Sequence, residues 1–249
     1  MDKVQLLKQR LAEIGGSLKQ HPDGLGLLGL GSAGQEQDRM DEYSDLDFFA
    51  IVRASCKRQF LQDLTWLTNI SPVAWYFKNT EDGYKLLFAD GVFCEFAIFE
   101  PDELAHIAYA PGQFIWRDNS LEPALAKPKL VMPQPSVDRD FLLGELMTNL
   151  YVGLCRYHRG EKTSAFRFIQ VHAVDRLIAL LDLTQSPQHR DNFCLDRRVE
   201  QRHGELDVLL AGCMSGINNS RLCARVMLEF VVNNYKVNDE IQAEVRALL

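Results

Sequence analysis

Gly31-Ser32-Ala33-Gly34-Gln35-Glu36-Gln37-Asp38-Arg39-Met40-Asp41-Glu42-Tyr43-Ser44-Asp45-Leu46-Asp47 sets a small Gly-Ser turn ahead of two carboxylates that alternate at the start of an apolar strand. If Leu46 to Val52 is extended, Asp45 and Asp47 point to one side of it and lie about 7 Å apart, two rises of a β-strand. Such a pair can hold Mg²⁺ between its oxygens. Upstream, Gly29 and Gly31 flank Leu30 at the end of the apolar run Leu25 to Leu30. A strand therefore ends where backbone N–H groups can approach an anion without Cβ interference. A phosphate cradle followed by a metal clamp suggests nucleotide chemistry.

Outward from this segment, the chain reads as two regions. Val4, Leu7, Leu11 and Ile14 recur at helical spacing before Gly15-Gly16, which predicts an opening amphipathic helix closed by a glycine cap. Strands are predicted over Leu25 to Leu30 and Leu46 to Val52. A helix is predicted over Lys57 to Asn69, with Phe60, Leu61, Leu64 and Leu67 toward the sheet. Val73 to Phe77, Tyr84 to Ala89 and Val92 to Phe99 read as further strands, with Asp90-Gly91 as a two-residue hairpin turn that sets Glu95 across from Leu86. Phe114 to Asp118 adds a last short strand. Four prolines between Pro123 and Pro135 mark a linker or a strap, and the domain boundary is placed near residue 137. From Asp138 the pattern turns helical, through Phe141 to Leu154, Ala165 to Leu183, Leu206 to Met214, Leu222 to Val232 and a last helix from Asn238, a four- or five-helix bundle. The fold class is thus α+β: a domain over 1–137 built on a twisted mixed sheet with flanking helices, and an α-helical domain over 138–249.

The 249 residues and 47% apolar content support a substantial core. A formal charge of −7 argues against wrapping a nucleic-acid backbone, which requires a basic face, and suits a small cationic acceptor better. The six cysteines show no Cys-x-x-Cys spacing and mostly lie in apolar segments, as expected of buried thiols in a reducing compartment. The N-terminus lacks the basic start and apolar run of a signal peptide, and no segment approaches about 18 continuous apolar residues, so a cytoplasmic protein without membrane contact is expected.

Gly31-Ser32, the spacer and Asp45-Leu46-Asp47 together resemble the nucleotidyltransferase superfamily typified by DNA polymerase beta, which uses a third acid on a later strand. Glu95, within Val92-Phe93-Cys94-Glu95-Phe96-Ala97-Ile98-Phe99, is the acid in the corresponding place. Ser71 to Phe77 and Asp90 to Glu95 are similar to the antibiotic nucleotidyltransferases, above all the lincosamide group, which join such a domain to an α-helical one. The spacer departs from that pattern: a small residue, an Arg and a Gly usually follow Gly-Ser directly, whereas Gly34-Gln35-Glu36 stands here.

The resemblance implies attack by an acceptor hydroxyl on the α-phosphate of a nucleoside triphosphate, with pyrophosphate leaving in line and two Mg²⁺ ions held between carboxylates. Asp45 and Asp47 are the expected metal ligands. Glu95 either completes the second metal site or takes the acceptor proton, and Glu145, on the first helix of the second region, is the alternative base. Gly31 and Ser32 are expected at the β- and γ-phosphates. Arg156, His158, Arg159, Lys162, Arg167 and His172 crowd two adjoining helices, and from these Lys162 and Arg167 are chosen to stabilise the triphosphate and departing pyrophosphate; an ordinary solvated helix face explains them as well. Trp75, Tyr76 and Tyr151 either hold the acceptor or serve as core. The expected activity is transfer of a nucleoside monophosphate, AMP above all, to a hydroxyl of a small molecule such as a lincosamide or aminoglycoside, in an enzyme of antibiotic-resistance type whose helical bundle walls the cleft and whose relatives suggest a homodimer. The alternative is a nucleotidyltransferase-type toxin–antitoxin or regulatory protein acting on a protein partner. The Arg167–His172 spacing fits that reading, but Arg198–His203 repeats it, as chance allows.

Overall fold

A computed structural model describes residues 2–130, 138–183, 191 and 193–249. The chain divides into two units, Met1–Met132 and Pro133–Leu249. The boundary expected near residue 137 lies outside the described residues. Among the described residues no helix is long and apolar enough to cross a membrane.

The first unit opens with α1 (Lys3–Gln20), capped by the Asp2 carboxylate, which accepts from Gln5 N–H at 2.8 Å. Leu7, Leu11, Ile14 and Leu18 form its buried stripe. The helix does not stop at Gly15-Gly16 as the sequence suggested. Gly15 lies against the sheet, where an added Cβ would touch Leu27, Ile115 and Trp116 at 3.5–3.6 Å, and the stripe continues to Leu18. What ends α1 is Pro22, which forces His21 into extended backbone with ψ 129.

Six strands follow: β1 (Gly24–Gly29), β2 (Leu46–Val52), β3 (Val73–Lys78), β4 (Gly83–Phe88), β5 (Phe93–Phe99) and β6 (Gln113–Arg117). Their order in the sheet is β3-β4-β5-β2-β1-β6. The β2–β5 pair is parallel, and the other neighbours are antiparallel. The sheet is therefore mixed and the fold is α+β. Alternation along β2 and β5 sends Leu46, Phe48, Ala50, Cys94, Phe96 and Ile98 to one face, where they pack with α1 in the main core. Phe48 and Phe96 stack there with ring centroids 5.2 Å apart. On the opposite face Ile51 and Phe99, toward the carboxyl ends of the two strands, join Leu28, Leu104, Tyr109 and Leu121 in a second, smaller core.

Two expectations in this unit change. The predicted helix Lys57 to Asn69 is broken into α2 (Lys57–Gln62) and α3 (Thr65–Thr68), because Asp63 turns extended and its carboxylate accepts from Thr65 N–H at 2.9 Å. The hairpin between β4 and β5 is closed by three residues, Ala89, Asp90 and Gly91. Phe88 and Val92 pair across it, Phe88 N–H donating to Val92 O at 2.9 Å, and Gly91 takes the left-handed position at φ 84. The third turn residue shifts the register by one. Lys85, and not Leu86, stands opposite Glu95, so a charged side chain shares the face of that acid.

In the second unit, α4 (Arg139–His158) is capped by Asp138, and a continuous helical run comprises α5 (Lys162–Phe166), a π-helical segment over Arg167–His172, and α6 (Ala173–Asp182). Then come α7 (Val199–Arg202), α8 (Asp207–Cys213), α9 (Ser220–Asn234) and α10 (Asp239–Ala247), the last capped by Asn238. Leu142, Leu146, Leu150, Leu177, Met227, Leu228 and Val231 lie at the centre of its core. Gly153 on α4 admits the π segment, since a Cβ there would meet Ile169 Cγ1 at 2.6 Å. That segment also delivers Gln170, 2% exposed, to the turn before α9. Its amide donates to Gly216 O at 2.8 Å and to Ser220 Oγ at 3.1 Å, and its Oε1 accepts from Gly216 N–H at 2.9 Å.

All six cysteines are free: Cys94, Cys213 and Cys223 are buried, Cys56 and Cys155 partly so, and Cys194 is exposed. Burial pushes the Cys94 thiol far up and the Cys213 thiol to about 12. Under native conditions a thiol reagent is expected to label Cys194 readily while Cys94, Cys213 and Cys223 react only on denaturation, as mass-mapped labelling in buffer and in urea will show. Gln170→Leu should lower the stability of the second unit by about 1–3 kcal/mol, because the Gly216 amide and carbonyl lose their partner; the midpoint of urea denaturation measures it.

Candidate active site

The parallel pairing of β2 with β5 aligns Asp47 with Glu95 as register partners. Adjacent strands run about 4.8 Å apart. Asp47 and Glu95 therefore stand side by side, and Asp45 precedes β2 by one residue, two positions before Asp47. All three are at the amino ends of their strands, where the second core no longer covers the sheet, and they are partly exposed. Entry to Asp45 is built by a tight turn. Asp41 Oδ1 accepts from Tyr43 N–H at 2.9 Å and from the Ser44 hydroxyl at 3.0 Å, and Ser44 N–H donates to Asp41 O.

On the other side of β2 lies the Gly-Ser turn. β1 is antiparallel to β2, so its end returns to the start of β2, and Leu30 N–H donates to Asp47 O at 2.8 Å. Gly31–Ala33 forms one turn of 3₁₀-helix, with Gly31 at φ 49 and Ser32 buried. The turn folds back so closely that a Cβ on Gly34 would stand 2.2 Å from Gly29 O, which only glycine permits. The amides of Ala33, Gly34 and Glu36 donate to carbonyls of Leu30 and Gly31, within the turn itself. The spacer continues into a second 3₁₀ turn, Gln37–Arg39, which brings Arg39 back over the first: its Nη2 is 3.3 Å from where a Cβ on Gly31 would be, and its Nε donates to Glu36 at 2.8 Å. Arg39, like Tyr43, is a polar spacer residue that could contact a nucleotide but stands outside the expected site set, and the folding of the loop is what brings it to this turn.

Glu95 differs from expectation in its setting. It sits on an interior strand, with its side chain 42% exposed, and both oxygens are engaged: Asn79 Nδ2 donates to Oε1 at 3.1 Å and Lys85 Nζ lies 3.1 Å from Oε2. The three-residue hairpin turn is the cause, since it places Lys85 on this face.

Among the described residues no three or more His, Cys, Asp or Glu side chains are gathered as a ready cage for an ion. The pair Asp45 and Asp47 is an all-oxygen donor set of the kind that suits Mg²⁺, which takes one or two carboxylates and fills its remaining positions with water and substrate phosphates.

The remaining expected residues belong to the second unit. Glu145 is partly exposed on α4, and Lys162 and Arg167 are exposed. Their basic neighbours serve that unit's own structure: Arg156 donates to Ser164 Oγ at 2.7 Å and lies over the Phe168 ring, Arg159 pairs with Glu161 at 3.1 Å, and His158 bonds Leu248 O at 2.8 Å. His203 is buried against Asp182 at 2.8 Å, a packing role that removes the second Arg-x4-His match from consideration.

No protein-family model and no curated protein matches the chain. Among solved structures it is similar to an aminoglycoside 6-adenyltransferase from Bacillus subtilis, at 11% identity over 97% of each chain and a TM-score of 0.35. The residue placements above rest on strand register and hydrogen bonding, independent of that likeness.

Gly34→Ala is expected to destabilise the first unit by about 1–3 kcal/mol, because the new Cβ must displace the Gly29 carbonyl and open the turn; chemical denaturation followed by tryptophan fluorescence measures the loss.

Proposed function

We propose that the chain is a Mg²⁺-dependent nucleotidyltransferase that moves a nucleoside monophosphate, AMP above all, from a nucleoside triphosphate to a hydroxyl of a small molecule. The observation that carries this reading is the register: Asp47 and Glu95 pair on one partly exposed face of the sheet, Asp45 stands two residues before Asp47, and the Gly-Ser turn is tied to the Asp47 backbone.

In this reading the acceptor oxygen bonds to the α-phosphorus while the bond to the bridging oxygen breaks, and pyrophosphate departs in line. Gly31 and Ser32 hold the β- and γ-phosphates, with the Arg39 guanidinium above the same turn. Asp45 and Asp47 hold the metal; two Mg²⁺ ions, when bound, supply neutralisation of the triphosphate and a lowered pKa for the attacking hydroxyl. Lys85 and Asn79 hold Glu95 beside Asp47 until the acceptor arrives. Glu95 then receives the hydroxyl proton or joins the metal ligands, and Glu145 is the alternative base. Lys162 and Arg167 are assigned to the departing pyrophosphate. A lincosamide or aminoglycoside is the first class of acceptor to try, and antibiotic resistance the first biological role.

Asp47→Asn keeps the side-chain volume and removes a carboxylate oxygen, so transfer should fall by roughly 10²–10³-fold with folding intact. Full activity in that variant would end the metal-clamp assignment. Glu95→Gln and Glu145→Gln, compared in the same assay, identify the base as the one whose loss abolishes transfer. The assay is pyrophosphate release from each of the common nucleoside triphosphates across lincosamides and aminoglycosides, with intact-mass analysis of drug and protein. A drug heavier by one nucleotide supports the proposal, whereas nucleotide on the protein replaces it with the regulatory reading.

A further inference from the structure

The acid face of the sheet does not end at Glu95. Asp47 pairs with Glu95, Glu95 with Lys85 and Lys85 with Phe77, so these four residues form one row across β2, β5, β4 and β3. Beside it runs a second row on the same face: Phe93 pairs with Leu87 and Leu87 with Trp75. One row carries the charged Asp47, Glu95 and Lys85 and ends in Phe77, and the other is apolar. Their outer ends meet in an aromatic pair, Trp75 and Phe77, with ring centroids 5.1 Å apart, planes inclined at 48° so that each ring offers its own face, and the residues 48% and 44% exposed. Tyr76 is also exposed, at 55%, but its register partner is Leu86, so it belongs to the opposite face.

We infer that these two rows beyond Glu95 are the acceptor subsite, with Trp75 and Phe77 as a stacking platform for a flat ring of the acceptor. This rests on the transferase reading. The direction follows from the order of parts. The Gly-Ser turn flanks Asp47 on the β1 side, so the triphosphate extends that way, and the attacking hydroxyl must approach from the side of β5, β4 and β3. Three strand spacings, about 14 Å, separate Asp47 from Phe77. An acceptor that reaches both has the length of about two linked rings, one hydroxylated and one with an apolar face. A second copy of the chain added to the β3 edge is disfavoured, because the register of β3 slips between Val73 and Trp75 and breaks the ladder that another strand would extend.

The probe is 4-nitrophenyl β-D-glucoside, a hydroxylated ring joined to a flat nitroaryl ring that quenches tryptophan on stacking. Titrated into the whole protein without nucleotide or metal, it should give saturable quenching. Phe77→Ala should weaken the apparent affinity about tenfold, and Phe77→Leu, which keeps apolar bulk at this edge position, should do the same. Tyr76→Ala should leave it unchanged. Absence of saturable quenching, equal loss in Tyr76→Ala, displacement of the probe by ATP, or a dimer that falls apart in Phe77→Ala would each overturn the assignment. Because the titration needs no turnover, it stands or falls separately from pyrophosphate release.

Discussion

The parallel pairing of β2 and β5 is the constraint on which the candidate site depends. In a sheet whose other neighbours are antiparallel, these two strands run the same way, so their amino ends lie together and the acids near them meet. Had the pairing been antiparallel, Asp47 and Glu95 would have been set toward opposite ends of the sheet. Stacked phenylalanines Phe48 and Phe96 lock the register from the core side. A slip by one residue would turn the acids into the hydrocarbon of that core, at a cost far beyond what any surface ion pair returns.

Around that pair, the site is shaped by turns. The Gly-Ser turn is held by its own hydrogen bonds and by a contact so close that two glycines are required, which leaves little freedom to relax. The spacer after Gly34 folds back to supply a guanidinium, Arg39, from seven positions downstream of Ser32. On the opposite flank, a single additional turn residue between β4 and β5 gives Glu95 a lysine neighbour. Lys85 satisfies a carboxylate that would otherwise stand beside two others, and like charges so placed repel.

Much of this was legible in the sequence where a local rule governed. The β2 limits, Leu46–Val52, and the helix starts near Asp138 and Asn238, with most helices of the second unit, follow from apolar periodicity. The misreadings share a physical origin. Gly15-Gly16 looked like a cap because a glycine pair ends isolated helices, but packing against the sheet overrode that tendency, and Pro22 supplied the stop. Asp63 broke a periodic run because its side chain competes for a backbone N–H. The neighbour of Glu95 depended on whether Ala89 belonged to a strand or to a turn, a one-residue question that periodicity cannot decide. Arg39 came to the Gly-Ser turn through loop folding, for which no pattern exists. The assignments of Glu145, Lys162 and Arg167 rest on residue type and on resemblance, since each lies in a unit with its own core.

The π-helical segment Arg167–His172 has a consequence for how this chain tolerates change in length. A π turn accommodates one residue more than the α-helical path around it needs. Removing one residue there would return the run from Lys162 to Asp182 to a uniform helix, with α6 still in phase with α5, because the bulge already absorbs that extra position. The buried stripe of α6 would keep its core, and the loss would fall on Gln170, which the bulge presents to the turn before α9. The two parts of this helix therefore stay in phase with or without the extra position, which makes this segment the place where a single deletion costs the Gln170 clamp and leaves the α6 packing in register.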